Sequence, residues 1–302
     1  MFFLVFALLT SPFALHAQVD LGRVVPADRP LHIVAFGDFG SGDPGQLEVA
    51  HAIARRHAQA PFTFGITMGD NFYRCGVRSV HDPKWKTRWE DLYTPLGILF
   101  YAALGNHDYG HPPVICPTGG ASAEAEVERT KLSASWRLPA RYYTYAAGPV
   151  RFIAIDTEGW SGMQFDWIKY TLEATANEPG IRWRIVYGHH PMYTSGVHLN
   201  ERRIGELRRE LFPVLKAAGV DVYIAGHDHD MERLKVEGMD MLIAGSGGAE
   251  LRKVRHQEAD SIFAAKSYGF LDIQITADHI AAQFYDPDLK TLEKNSLLRQ
   301  RK

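Results

Sequence analysis

The stretch HIVAFGDFGSGDP, residues 32–44, places a carboxylate at the end of an apolar run. Residues 31–36 are typical of a strand that is buried on both faces. Asp38 follows Gly37 directly, and the loop that comes next is rich in glycine. Because glycine gives little side-chain cover, we expect Asp38 to be accessible to a ligand.

Side chains that can bind a metal follow glycine at the ends of five predicted strands. The strands are expected at 31–36, 62–68, 98–104, 183–188 and 220–226. The side chains that follow them are Asp38, Asp70, Asn106, His189, and His227 with His229. One such motif by itself is more often a turn or a helix cap than a ligand. Since the carboxyl ends of strands in an open α/β sheet line one crevice, the complete set indicates a metal site.

Apolar runs alternate with helical patterns through most of the chain, which favours an α/β fold. Another buried strand is expected at 150–155. Helices that connect the strands are expected at 46–60, 85–96, 164–176 and 200–218. Antiparallel or mixed strands are expected in the tail, at 239–245, 270–276 and 279–285. This order of elements predicts one layered domain with two sheets.

Residues 111–141 are expected to form a long surface excursion at the rim of the pocket, because they contain prolines, paired glycines and a polar stretch. One short helix is expected in it near residues 124–133. The excursion contains Cys116, and Cys75 is the other cysteine of the chain. In an exported protein such a pair forms one disulfide or remains as two thiols, and the spacing does not decide between these states.

The composition excludes a general electrostatic attraction for nucleic acid or an anionic membrane, because the net charge of the 302 residues is −2. Residues 1–17 contain an apolar run and a small-residue cleavage pattern, which predict a signal peptide. The alternative is an anchor helix, but Pro12 interrupts a run that is too short to span a bilayer. We therefore expect a secreted or periplasmic protein with no stable membrane association.

The ordered motifs GDFG, GDNFY, GNHD, VYGH and GHDH resemble those of the calcineurin-like metallophosphoesterases. Tyr73, three residues after Asp70, resembles one branch of them, the small mammalian-type (tartrate-resistant) purple acid phosphatases. The resemblance extends from about residue 31 to residue 285, and we expect the domain to occupy residues 28–290. It implies a two-sheet β-sandwich flanked by helices, in four α/β/β/α layers.

The same resemblance implies two metal ions and their ligands. Asp38, Asp70, Tyr73 and His229 would hold the first ion, and Asp70 would bridge to a second ion held by Asn106, His189 and His227. Carboxylates and a phenolate suit Fe(III), whereas imidazoles with an amide oxygen suit divalent Fe, Zn or Mn. If Tyr73 were only a core aromatic, the two-metal site would remain without the ferric preference.

The implied function is an exported acid phosphatase that hydrolyses small phosphate monoesters by attack of a metal-bound hydroxide. His107 and His198 match histidines that face the substrate in the family, and either can act as a proton donor. His190 and Asp228 are expected to have structural roles. The alternatives are a phosphodiesterase or nucleotide-specific phosphohydrolase on the same metal site, and a metal- or phosphate-binding protein with little turnover.

Overall fold

Two β-sheets form the centre of the molecule, and helices cover their outer faces. The structure is a computed structural model that describes residues 18–110, 116, 121–255, 258–293 and 296–301. The predicted signal peptide, residues 1–17, lies outside the described residues. Within the described ranges, no helix combines the length and apolar content that crossing a bilayer requires.

The first sheet has seven strands, four of which are parallel neighbours. Its strands, numbered in chain order, are β2 (Leu31–Phe36), β3 (Phe64–Met68), β4 (Phe100–Ala103), β5 (Trp136–Arg137), β13 (Phe270–Ile275), β14 (His279–Tyr285) and β15 (Leu297–Gln300). Their spatial order is β15-β14-β13-β2-β3-β4-β5. The three late strands add to the β2 edge in antiparallel fashion, so the sheet is mixed, as predicted.

The second sheet has eight strands and is also mixed. Its strands are β1 (Gln18–Val25), β6 (Tyr142–Ala147), β7 (Val150–Ala154), β8 (Trp183–Tyr187), β9 (Val222–Ala225), β10 (Met231–Val236), β11 (Met239–Ala244) and β12 (Ser261–Ala265). Their spatial order is β1-β6-β7-β8-β9-β11-β10-β12. The parallel pairs β7–β8, β8–β9 and β9–β11 form its middle.

The predicted connecting helices are confirmed, although one of them is irregular. The α-helices are α1 (Pro44–Gln59), α2 (Asp91–Tyr93), α3 (Ala123–Arg129), α4 (Gly162–Ala174) and α5 (Arg202–Ala217). In the predicted helix at 85–96, a π-helical segment, Trp85–Glu90, precedes α2, and a 3-10 turn, Thr94–Leu96, follows it. The short helix expected in the excursion is α3.

Aromatic side chains join the four layers. Between the sheets, the ring of Phe64 lies 5.6 Å from that of Phe152, and Tyr101 stacks on Tyr145 at 4.3 Å. On the outer face of the first sheet, Phe36 stacks on Tyr93 at 5.2 Å. A separate apolar cluster, which includes residues of α4 and α5, covers the outer face of the second sheet. Because the parallel strands are covered on both faces, their sequences are apolar throughout, and the predicted four-layer fold is confirmed.

Cys75 and Cys116 form a disulfide with a Cα–Cα separation of 5.6 Å. The alternative of two unpaired thiols is therefore wrong. The bond closes a loop between residues that are 41 positions apart, and this loop includes β4 and the motif that follows it.

Candidate metal centre

The predicted ligands lie at one edge of the sandwich, where strands of both sheets end. Asp38, Asp70 and Asn106 follow β2, β3 and β4 of the first sheet. The histidines follow β8 and β9 of the second sheet. The crevice predicted at the edge of one sheet is thus formed by two sheets that face each other.

Three of these side chains leave the strand ends from a left-handed backbone. The φ angles are 57° at Asp38, 49° at Asp70 and 69° at His227. Non-glycine residues adopt this region at a cost of about 1–3 kcal/mol each, and such strain is concentrated at functional sites. Gly226 explains part of the geometry, because a Cβ atom at this position would collide with the carboxylate of Asp38.

One group of predicted ligands surrounds the hydroxyl of Tyr73. Its Oη atom lies 3.1 Å from Asp38 Oδ1, 3.0 Å from Asp70 Oδ2 and 3.1 Å from His229 Nε2. All four side chains are buried. Two carboxylates, a phenol and an imidazole thus converge on one point.

A second group lies on the other side of Asp70. His189 Nε2 is 3.0 Å from Asn106 Oδ1, 3.1 Å from His227 Nδ1 and 3.4 Å from Asp70 Oδ2. The carboxylate of Asp70 therefore touches both groups, the position that a bridging ligand requires. All seven predicted ligand side chains lie in this one constellation.

Hydrogen bonds orient each imidazole toward the centre. His189 Nδ1 donates to the carbonyl oxygen of Met68 at 2.9 Å, and His229 Nδ1 donates to that of Glu250 at 2.7 Å. Since a carbonyl oxygen only accepts, Nδ1 carries a proton in both rings, and the Nε2 atom points into the site. Outer contacts of this kind fix the tautomer of metal-binding histidines.

The charges of the site fit a metal cation. Although burial lowers the pKa of His189, Asp70 and Asp38 raise it to about 10, so the buried carboxylates draw a proton onto this imidazole. Burial and the same carboxylates raise the pKa of Tyr73 well above its usual value. A cation would replace that proton and favour the phenolate, because metal binding is coupled to release of protons from its ligands.

His107 and His198 lie on different sides of the constellation. The ring of His107 is 4.4 Å from that of Tyr73, and its backbone N–H donates to Asp70 Oδ1 at 2.8 Å. The ring of His198 is 4.3 Å from that of His227. Both side chains line the cavity over the ligands.

Glu201 is a residue of the site that the sequence analysis missed. One carboxylate oxygen accepts from His227 Nε2 at 2.7 Å, which leaves Nδ1 of that ring facing the site. The other oxygen accepts from His198 Nδ1. Burial raises the pKa of Glu201, but these two bonds outweigh burial and hold the pKa below its usual value. Its position three residues after His198, at the start of α5, was the available signal.

A buried carboxylate, Asp108, connects the two ligand loops of the first sheet. It accepts from the backbone N–H groups of Gly105 at 2.9 Å, Asn71 at 2.9 Å and Phe72 at 3.1 Å. The side-chain amide of Asn71 also donates to Asp108 and to Glu126, at 2.9 and 3.1 Å. Burial and the Asp108 carboxylate raise the pKa of Glu126 well above its usual value, which favours the neutral form of Glu126.

The other two residues of the motifs have structural contacts. His190 Nδ1 lies 2.9 Å from Thr157 Oγ1. Asp228 accepts from Thr194 Oγ1 at 2.6 Å and from the backbone N–H of Val197 at 3.0 Å, which holds the loop that carries His198.

The constellation lies at the base of a cavity of about 1080 Å³. Loops that follow strands of both sheets and the start of α5 provide most of its lining. The described part of the excursion, residues 116 and 121–141, does not contribute to this lining, whereas 111–115 and 117–120 lie outside the described residues. Among the described residues, the rim of the cavity is thus formed by other segments, such as residues 198–203 and 249–252, and not by the excursion.

Comparison with known proteins identifies the type of domain. The model of the calcineurin-like phosphoesterase family matches residues 31–231. Purple acid phosphatase 17 of Arabidopsis thaliana is 27% identical over 308 residues, which cover 91% of this chain and 88% of the relative. Tartrate-resistant acid phosphatase type 5 of Rattus norvegicus is 27% identical over 315 residues, which cover 89% of this chain and 91% of the relative.

A solved structure has the same fold. The structure of GAP50, the anchor in the inner membrane complex of Plasmodium, superposes with a TM-score of 0.77 over 90% of each chain. Its sequence identity to this chain is 23%, so the likeness concerns the fold alone.

Proposed function

This chain belongs to the calcineurin-like phosphoesterase family and is a metal-dependent phosphatase, and from that premise we propose that it is an exported acid phosphatase specific for phosphate monoesters. The main support is the convergence of two carboxylates and a histidine on the hydroxyl of Tyr73. A phenolate among the ligands distinguishes the proposed branch from the rest of the superfamily.

Two ions of different hardness fit the two groups of ligands. Fe(III) would be held by Asp38, Tyr73 and His229, with Asp70 shared, because hard anionic oxygens dominate this group. A divalent Fe, Zn or Mn would be held by Asn106, His189 and His227. When bound, such a pair lowers the pKa of water and neutralises charge on a phosphoryl group.

His107 and His198, which lie outside the predicted ligand set, would donate a proton to the leaving group. His107 has Nδ1 directed to the carbonyl oxygen of Arg74, so its Nε2 atom is the one available to a substrate. His198 has Nδ1 bound to Glu201, and its Nε2 has no hydrogen-bond partner among the described residues. An imidazole held by a carboxylate on one nitrogen can donate a proton from the other.

Export and domain limits belong to the same proposal. Residues 1–17 would be removed as a signal peptide, and the catalytic domain would occupy residues 28–290. The substrate would be a small phosphorylated molecule. N-terminal sequencing of the protein purified from its native host tests the first point, because an intact Met1 in mature protein would contradict it.

Two variants test the assigned roles. Asp70→Asn removes the shared anion, so it should lose metal and nearly all turnover of an aryl phosphate. His107→Ala should retain about two ions per chain and lose roughly 10²-fold in turnover if it donates a proton. Equal metal loss in both variants would place His107 among the ligands instead. Parallel assays with an aryl phosphomonoester and a bis-aryl phosphodiester decide between the proposed activity and the phosphodiesterase alternative.

A further inference from the structure

The cavity over the metal ligands is lined by several positive side chains. They are Arg74, Arg88, Arg202, Arg203 and Arg252. A guanidinium that already has protein acceptors is available to a ligand only at the expense of those contacts, so the informative arginines are the ones without acceptors.

Three of the five arginines are bound within the protein. Arg88 donates to two backbone carbonyl oxygens. Arg202 and Arg203 both pair with Glu206, at 2.9 and 2.7 Å. Each of these guanidinium groups thus already has an acceptor within the protein.

Arg74 and Arg252 have no side-chain hydrogen bond or ion pair with any described residue. Both are attached to the group of ligands around Tyr73. Arg74 follows Tyr73 directly, and its carbonyl oxygen accepts from His107. The backbone N–H of Arg252 donates to the carbonyl oxygen of His229 at 3.1 Å. Their backbones are thus positioned by the predicted metal site, while their guanidinium groups are free to face the cavity.

Two acidic residues of the lining already have histidine partners within the protein. Glu201 is bound by two imidazoles, and Glu158 lies 3.7 Å from a histidine nitrogen. Burial lowers the pKa of Arg88 and Asp43 raises it, so Asp43 faces a cation. Asp43 and Glu250 have no ion-pair partner in the described part of the chain. Among the described lining residues, Arg74 and Arg252 are thus the arginines without protein acceptors.

We propose that Arg74 and Arg252 form a subsite for a second anionic group of the substrate, a phosphate or a carboxylate, beyond the phosphate that is hydrolysed. The proposal rests on the proposed function, in which the metal ions meet the charge of the reacting phosphate. Guanidinium groups bind phosphate and carboxylate through paired, charge-assisted hydrogen bonds. The preferred substrates are then phosphate esters whose leaving group is itself anionic.

Non-hydrolysable phosphonates test the subsite without turnover. The probes are phenylphosphonate, 4-phosphonobenzoate and 1,4-phenylenediphosphonate, which share a ring and differ in the second group. Calorimetry with the metal-loaded enzyme should show binding that is about 10-fold tighter for at least one doubly anionic probe. The preference should weaken at high ionic strength, because the subsite is open to solvent.

The double variant R74Q/R252Q should bind all three phosphonates with similar affinity. The matched control is Arg202→Gln, which removes the same charge from the same cavity at a paired position, and it should keep the wild-type preference. A preference for the diphosphonate alone would identify phosphate as the second group. A preference for both doubly anionic probes would show that the subsite accepts a phosphate or a carboxylate.

Equal affinities for the three probes in the wild type would overturn the subsite, as would a preference that survives in the double variant. Failure of the proposed function is a separate result. It would be seen as no hydrolysis of phenyl phosphate by the metal-loaded enzyme, with the phosphonate preference intact.

Discussion

Gly69 precedes Asp70 at the point where the backbone of this loop packs against the loop that carries Asn106. Replacing Gly69 with alanine should force the two loops apart. The φ angle of Gly69 is 83°. A Cβ atom there would lie 2.6 Å from the backbone nitrogen of Gly105 and 2.7 Å from the carbonyl carbon of Leu104. Both neighbours are backbone atoms, so no side-chain rotation relieves the contact.

The size of the effect follows from these distances. Ordinary van der Waals contact begins at 3.4 Å, so the loops would have to separate by about 0.8 Å. The bond from the His107 N–H to Asp70 Oδ1 crosses between the loops at 2.8 Å and would lengthen to about 3.6 Å, which is beyond hydrogen-bonding range. The left-handed backbone costs alanine about 1–2 kcal/mol, and overpacking costs about 1–3 kcal/mol more. A misplacement of this size lowers turnover by on the order of 10²-fold.

Metal analysis, an aryl phosphate assay and thermal unfolding should be applied to Gly69→Ala together. The matched control is Gly238→Ala, because Gly238 has a φ of 90° and no atom within 4 Å of an added Cβ. The control should show only the backbone cost in stability, with metal content and turnover preserved. A Gly69→Ala protein that retains both ions and wild-type turnover would refute the argument that close backbone contact positions Asp70.

Three further outcomes follow from individual contacts. Iron-loaded, oxidised protein should show a visible charge-transfer band that Tyr73→Phe loses while it folds normally, and a band that persists unaltered in the variant would exclude a tyrosinate ligand. Glu201→Gln replaces one of two acceptor oxygens with an amide nitrogen that cannot accept from an imidazole N–H. Affinity for the ion that His227 would hold, measured by chelator competition, should therefore fall about 10- to 100-fold. Unchanged affinity would contradict the role of Glu201 in orienting His227. Glu126→Gln should unfold at a similar temperature to the wild type at acid pH, where the carboxyl of Glu126 is protonated in both the folded and the unfolded protein, whereas Glu126→Ala should unfold earlier because Asn71 loses an acceptor. Since the pKa of Glu126 is raised in the folded state, its contribution is present at low pH and declines as pH rises through that pKa, so Glu126→Gln should flatten the dependence of stability on pH.

The central strands were predictable from local sequence. Strands β2, β3 and β8 are covered on both faces, so each is a nearly continuous apolar run that ends in glycine. Residue types suited to metals follow those glycines, and they allowed a set of candidate ligands to be predicted before any distance was known.

Strands β1, β5, β6, β10, β12 and β15 were not predicted, and in β10 the reason is that charged residues interrupt the apolar pattern. Strand β10 contains Glu232 and Arg233, which are nevertheless buried. Arg233 pairs with Glu293 at 2.8 Å, a residue 60 positions away, and Glu232 binds the N–H of Ser195 at 2.8 Å. Burial of these charges depends on distant partners that no local window contains.

Local sequence was enough to predict the strand ends, the kinds of side chain at the candidate metal centre and the type of chemistry, because each of these depends on a few adjacent residues. Long-range packing shows that two facing sheets, rather than one, carry the predicted ligands, and it shows which nitrogen of each imidazole faces the site. It likewise connects Glu201 to both His198 and His227, and it leaves Arg74 and Arg252 without a side-chain partner among the described residues. These features arise from long-range packing, which sets the distances and charge pairings between segments that are far apart in the chain.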